Sequence, residues 1–197
     1  MKRLLLILCC FIFILSAQAN TIFVQTPTGG EECTTENDSQ QYPFLGTSTA
    51  ARECTDTTWY GQTFQLGSAI TTTGVYLYCS KDSSSSGSYS VHLYAYDTGT
   101  DRPTGDELAS STVDVGSLPA YGSPAEFFWE WASVAELSAG WYIVYGVGGS
   151  GTNNSLNIYR DSNAITGTYI STSDSGTNWT ENASYDLRGG GIYGCSE

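Results

Sequence analysis

From Trp59 onward the chain alternates short runs rich in Tyr, Val, Ile and Trp with clusters of Gly, Ser, Asp and Pro. That texture predicts strands divided by turns, near residues 59–66, 70–79, 88–96, 108–115, 126–131, 140–147, 156–160, 167–171 and 184–194. No segment carries the 3.6-residue apolar spacing of an amphipathic helix. Successive side chains on a strand point to opposite faces. Val75, Leu77 and Cys79 therefore share one face against Tyr76 and Tyr78, and Val91, Leu93 and Ala95 oppose His92, Tyr94 and Tyr96. Phe127, Trp129 and Trp131 form a core-type face, with Glu126, Phe128 and Glu130 behind it. Near the end, Leu187, Tyr193 and Cys195 fall in one parity, which a bulge at Gly189-Gly190-Gly191 would shift. The Ser-rich residues 83–88 predict a hairpin tip and residues 146–154 a second polar loop. Strands of this number and length predict an all-β protein: two packed antiparallel sheets in a sandwich.

Ahead of this region the pattern differs. Residues 4–15 are apolar, follow Lys2 and Arg3, and lead to Ala17-Gln18-Ala19, the small-x-small signature of signal-peptidase cleavage. An apolar run of about 12 residues falls short of the roughly 20 that span a bilayer, so a removed leader is expected rather than an anchor. The expected layout is a signal peptide at 1–19, a polar lead-in at 20–58 with one short apolar run, Ile22-Phe23-Val24, and a β-sandwich domain at 59–197. The expected location is secreted, extracellular or periplasmic, with no membrane insertion after cleavage.

Charge and cysteines narrow the picture. The chain carries 7 basic and 20 acidic residues, for a net charge of -13. Loss of Lys2 and Arg3 with the leader makes it more negative still. Nucleic acid and anionic membranes are disfavoured as partners, because phosphate neutralisation needs clustered Lys and Arg. Cys9 and Cys10 lie in the leader, leaving Cys33, Cys54, Cys79 and Cys195, an even set that an oxidising compartment would join as disulfides. Of the three pairings, Cys33 with Cys54 and Cys79 with Cys195 is favoured, stapling the lead-in and tying one strand to the C-terminal strand. A zinc site is disfavoured, since there is no Cys-x-x-Cys pair and the only histidine is His92.

Several residues are candidates for chemistry. Tyr76, Tyr78, His92, Tyr94 and Tyr96 would form an aromatic band if their two runs pair as neighbouring strands. Flat aromatic faces suit the C–H surface of a sugar ring, although cross-strand packing also explains such a set. Asp97, Asp101 and Asp106 supply hard oxygens that could hold calcium, in a spacing unlike an EF-hand and beside Arg102. No other cofactor is expected. Glu126 and Glu130 would stand about 13 Å apart on a regular strand, against about 5 to 9.5 Å for the carboxyl pair of a glycosidase. No Gly-x-Ser-x-Gly elbow accompanies His92, so no nucleophile is marked and no catalytic residue is assigned. Residues 172–179, Thr-Ser-Asp-Ser-Gly-Thr-Asn-Trp, resemble the Asp-box hairpin of sialidase-type propellers. The single copy implies a structural role for Asp174, Gly176 and Trp179.

A wider resemblance covers roughly residues 59–194. Gln62-Thr63-Phe64, then Ile70-Thr71-Thr72-Thr73-Gly74-Val75-Tyr76-Leu77-Tyr78, then Pro103-Thr104-Gly105 with Leu108-Ala109-Ser110 appear in order. They are followed by Leu137-Ser138-Ala139-Gly140-Trp141-Tyr142-Ile143-Val144 and Ile192-Tyr193-Gly194. The series resembles the jelly-roll, carbohydrate-binding-module-like domains of secreted bacterial and phage proteins, including choice-of-anchor domains. Such motifs mark a fold rather than a chemistry. The resemblance implies a jelly-roll sandwich acting as a non-catalytic binding module for carbohydrate or a cell-surface polymer. The alternative is a structural or adhesive extracellular protein making protein contacts, and a glycoside hydrolase stands third. Members often end in a sorting tail, whereas this sequence ends Cys195-Ser196-Glu197, which implies release or retention by a partner.

Overall fold

The computed structural model describes residues 33–34, 38–45, 50–162 and 167–196, and the leader and the Ile22-Phe23-Val24 run lie outside them. Among the described residues the regular elements are strands, apart from one short 3-10 turn at Val115–Ser117. They are β1 (Ser39–Leu45), β2 (Ala50–Cys54), β3 (Trp59–Leu66), β4 (Ile70–Lys81), β5 (Ser88–Asp97) and β6 (Arg102–Asp114). There follow β7 (Ala125–Leu137), β8 (Gly140–Val147), β9 (Leu156–Ser162), β10 (Tyr169–Thr172), β11 (Thr180–Asn182) and β12 (Tyr185–Ser196). One antiparallel sheet runs β1-β12-β4-β9-β2, with β7 also paired to β4, and the other runs β11-β10-β3-β8-β5-β6. The chain changes sheet at most connections, staying in place only from β1 to β2, β5 to β6 and β10 to β11. This is the wiring of a jelly-roll-like sandwich.

Alternation explains the core. Val75 and Leu77 from β4, Trp129 from β7, Ile158 from β9 and Leu187 and Ile192 from β12 meet Phe64, Val91, Leu93 and Val144 from the facing sheet. One polar link crosses this apolar layer. The Gln62 amide on β3 donates to Asp186 Oδ1 on β12 at 2.9 Å and accepts from the Leu187 N–H at 2.8 Å, so the buried amide is satisfied on both ends.

The expected strands at 59–66 and 140–147 coincide with β3 and β8, and Trp129 and Trp131 are buried as alternation requires. The lead-in holds more structure than its polarity suggested. Residues 39–45 and 50–54 form β1 and β2, which pair along β12 and β9. Strands at a sheet margin gain ladder hydrogen bonds on one side while their outer face stays wet, so Ser, Gln and Arg are tolerated there. The predicted hairpin at 83–88 does not form within one sheet. β4 has β7 along one side and β12 then β9 along the other, so no edge is left for β5, and the segment instead carries the chain across the sandwich.

Neither expected cysteine pair forms. The disulfide joins Cys33 to Cys195, with Cα atoms 5.7 Å apart, while Cys54 and Cys79 are free and buried. Strand order supplies the reason: Cys33, bonded to Cys195 on β12, stands on the β1–β12 side of the sheet and Cys54 on β2 at the other margin, while Cys54, opposite Leu156, is parted from Cys79, opposite Ile158, by all of β9. Two strand spacings are about 10 Å, beyond the roughly 4.4–6.8 Å a disulfide bridges between Cα atoms. Cys195 lies opposite Thr71, at the far end of β4 from Cys79. The bulge foreseen in β12 is present. Against β1 its register advances three residues, Gly189 to Ile192, for two on the partner, Phe44 to Tyr42, and Gly191 takes φ +100 where a Cβ would collide with the Tyr42 carbonyl. Ile192 consequently points into the core and Tyr193 out of it. Burial pushes both free thiols up to about 12, so each stays a neutral S–H and behaves as a small apolar side chain. Among the described residues no helix is long and apolar enough to cross a membrane.

Candidate ligand-binding face

The β8 sequence, Gly-Trp-Tyr-Ile-Val-Tyr-Gly-Val, is apolar on both faces. Its inward residues Tyr142 and Val144 join the main core. Its outward residues need cover of their own, and they find it in a second cluster on the outside of the sheet. There Tyr96, Ile143, Tyr145 and Ile170 are buried beneath Trp59, Tyr94, Trp141, Val147 and Trp179. Tyr145 is the hub. Trp59 stacks on it at 5.3 Å and 7°, His92 at 5.3 Å and 23°, and Tyr94 at 5.9 Å and 18°, while Trp179 meets it edge-on at 5.3 Å. Gly61 on the neighbouring strand permits this approach, since a Cβ there would lie 2.7 Å from that of Tyr145.

Polar groups frame the aromatic face. The Tyr96 hydroxyl donates to Glu181, and Ser90 Oγ lies 2.7 Å from His92 Nε2 while Nδ1 pairs with Glu107, whose other oxygen accepts from Ser110 at 2.9 Å. Burial, reinforced by Glu181, pushes the Tyr96 hydroxyl far up, and burial together with Tyr94 does the same to Tyr145, so both remain protonated donors.

The β10–β11 loop positions Trp179. Asp174 accepts from the Asn178 backbone N–H at 2.9 Å, the Thr172 hydroxyl at 2.7 Å and the Asn178 amide at 2.6 Å. Gly176, at φ +84, rests on the Trp59 ring, where a Cβ would come within 2.6 Å, and its carbonyl accepts the Trp179 indole N–H at 3.0 Å. Asp174 and Gly176 thus shape the turn, and Trp179 packs on Trp59 and Tyr145. Trp179 also lines an open pocket of about 210 Å³ with Thr100, Arg102, Thr177 and Asn178.

The three hydrogen bonds hold the Asp174 carboxyl down to about 2. A lowered carboxyl stabilises the fold above its unfolded value of about 4, and that contribution is lost as pH falls through about 2. Tryptophan emission should therefore hold steady from neutral pH to about 4 and shift below about 3 as the loop loosens. Asp174→Ala, which lacks the acceptor at every pH, should show the shifted emission already at neutral pH. An unchanged spectrum in that variant would remove Asp174 from this role.

His92, Tyr94 and Tyr96 lie on this face, with Tyr96 buried and the other two half-buried. Tyr76 and Tyr78 lie on the opposite side of the sandwich, so the expected five-residue band is two separate groups. The cause is the placement of β4 and β5 in different sheets. Sequence reasoning missed Trp59, Trp141, Tyr145 and Trp179 as partners of Tyr94. The available signal was the unbroken apolar run of β8, which marks a strand covered on both faces. The three calcium candidates are not gathered. Asp97 closes the β5–β6 turn by accepting from the Gly99 N–H at 2.8 Å and the Thr100 hydroxyl at 2.6 Å, which lowers its carboxyl, while Asp101 occupies the turn at φ 54 and Asp106 lies on β6. Among the described residues no group of three His, Cys, Asp or Glu side chains could hold a metal ion. Glu126 and Glu130 are exposed on an unbroken stretch of β7, opposite Tyr78 and Gly74, which keeps them about 13 Å apart.

The chain matches no protein-family model, no curated protein and no solved structure. Fold and site together define a two-sheet antiparallel β-sandwich with an aromatic face outside one sheet.

Proposed function

We propose that this chain is an exported binding module that holds a carbohydrate, or a cell-surface polymer of that character, on the outer face of the β8 sheet. One observation carries the reading: Trp179 packs on the aromatic cluster and also lines a polar pocket. A sugar ring laid on the indole would direct its hydroxyls to Arg102, Asn178, Thr100 and Thr177. A volume of about 210 Å³ is below the roughly 300–1,000 Å³ of enclosed small-molecule sites, as suits a shallow surface gripping part of a long polymer. Export is supported by the leader at 1–19 and by the Cys33–Cys195 disulfide, which an oxidising compartment favours. The jelly-roll resemblance supports binding over catalysis. So does the separation of Glu126 and Glu130. Ser90, His92 and Glu107 have the connectivity of a hydrolase triad. However, β5 is laddered on both sides, and its N–H groups are committed rather than free to stabilise an oxyanion.

The test is a glycan array with pull-down on insoluble polysaccharides. Wild-type chain should be retained by at least one glycan, and Trp179→Ala should weaken that binding by about tenfold or more. Absence of binding throughout, or binding that survives the loss of Trp179, would contradict the reading. A second reading, an adhesive protein making protein contacts, is favoured by β6, a largely exposed 13-residue strand that ends its sheet. Such an edge can accept a partner strand. Concentration-dependent self-association without glycan binding would favour it.

A further inference from the structure

The opposite sheet carries an aromatic group that the carbohydrate reading leaves unused. Phe128 on β7, Tyr76 on β4 and Tyr193 on β12 are half-buried neighbours on its outer face. The Tyr76 and Phe128 ring centroids are 4.7 Å apart at 35°, those of Tyr76 and Tyr193 4.7 Å apart at 62°, and those of Phe128 and Tyr193 6.4 Å apart at 75°. Phe128 lies over Gly74, where a Cβ would come 2.5 Å from its ring, so it rests close on the backbone as a floor. Tyr193 meets that floor at a steep angle, as a wall.

Carboxylates surround the three rings. Glu126 and Glu130 flank Phe128 two residues away on the same face of β7, and Asp38 accepts the Thr73 hydroxyl nearby. Burial first, then Tyr76, Glu126 and Asp38, push the Tyr193 hydroxyl up, which places both acids within electrostatic reach of that ring. Among the described residues no base forms an ion pair with Glu126, Glu130 or Asp38. The same sheet does place cations on tyrosine faces elsewhere: the Arg188 guanidinium is 3.7 Å from the Tyr78 centroid, and that of Arg160 is 3.5 Å from Tyr185. Tyr76, two residues from Tyr78, has the richer acidic rim and, among the described residues, no such cation.

Ring faces are electronegative, and the acids deepen that potential. The complement is a cation of diffuse charge. A lysine ammonium is compact and strongly hydrated, and the carboxylates flank the rings instead of converging as metal ligands would. An alkylated ammonium satisfies both conditions, since it loses little hydration on the rings and needs no hydrogen-bond acceptor. We propose that Tyr76, Phe128 and Tyr193, rimmed by Glu126, Glu130 and Asp38, bind a quaternary ammonium group of the choline type, at a site separate from the Trp179 face.

The test is calorimetric titration of the full chain with choline and with its neutral isostere, in which carbon replaces nitrogen. Choline should bind saturably in the millimolar range and the isostere should not. Phe128→Leu and Tyr76→Leu should each weaken choline by about tenfold. The double exchange Glu126→Gln with Glu130→Gln, which keeps every ring, should weaken it several-fold and flatten its salt dependence. Trp179→Ala should leave choline binding unchanged, so the two faces are tested separately. Equal binding of the isostere, no saturation by choline, or preference for an arginine- or lysine-rich peptide would overturn the proposal.

Discussion

Replacing Cys33 with serine is expected to lower the unfolding free energy by about 3–5 kcal/mol. The bridge to Cys195 spans 162 residues, and closing a loop of that length removes about 5 kcal/mol of chain entropy from the unfolded state, of which measured disulfides often deliver somewhat less. Its position compounds the effect. Cys33 precedes β1, Cys195 lies in β12, and those two strands pair, so the bond pins the margin of one sheet at both chain ends. A domain of this kind has only about 5–15 kcal/mol in hand. Urea unfolding should give the same loss for Cys33→Ser, for Cys33→Ser with Cys195→Ser, and for reduced wild type, since all three lack one bond. Peptide mapping should recover the Cys33–Cys195 link and leave Cys54 and Cys79 unlabelled by thiol reagents until the chain is unfolded, because their thiols sit near 12 and are buried. Unequal losses, or a mapped link from Cys33 to Cys54, would refute the assignment.

Trp129→Ala should cost about as much, roughly 3–5 kcal/mol, for a different reason. Trp129 is the largest fully buried side chain described, set between the sheets and edge-on to Phe127 at 5.4 Å. Its indole N–H is buried without a hydrogen-bond partner among the described residues, so the residue is held by packing. Removing the ring strips contacts from both sheets and leaves a cavity that the strands cannot close without shearing their ladders. Trp129→Phe, which keeps most of the volume, should lose less than half as much. Thermal unfolding of the pair checks this. A small effect for alanine would mean that the sheets do not enclose this residue.

The fold was legible wherever one face of a strand was greasy and the other was not. Alternation puts Val75 and Leu77 on one shared face and Trp129 on a core-type face, all three are buried, and Gly and Ser residues bound β3 and β8. The strands at the margins, β1 and β2, escaped notice because they are held by backbone ladders that leave little trace in side-chain pattern. Sheet membership was harder. A short Ser-rich link between β4 and β5 has the composition of a hairpin, and only the crowding of β4 by three other strands sends it across the sandwich instead. That one misplacement split Tyr76 and Tyr78 from His92, Tyr94 and Tyr96. It also hid the union of Trp59, Tyr145 and Trp179, which are distant in sequence and meet only through the pairing of β3, β8 and β10. The cysteines failed for a related reason, because their pairing depends on lateral strand order, which parity does not encode.

On the proposed reading the ligand rests on the outer face of the β8 sheet, around Trp179. Hydroxyl-radical footprinting of the full chain, with and without the polysaccharide it retains most strongly, tests this directly. Protection is predicted at Trp59, Tyr94, Trp141 and Trp179, with Tyr76, Phe128 and Tyr193 labelled as before. Protection confined to Tyr76, Phe128 and Tyr193, with Trp179 still labelled, would contradict it.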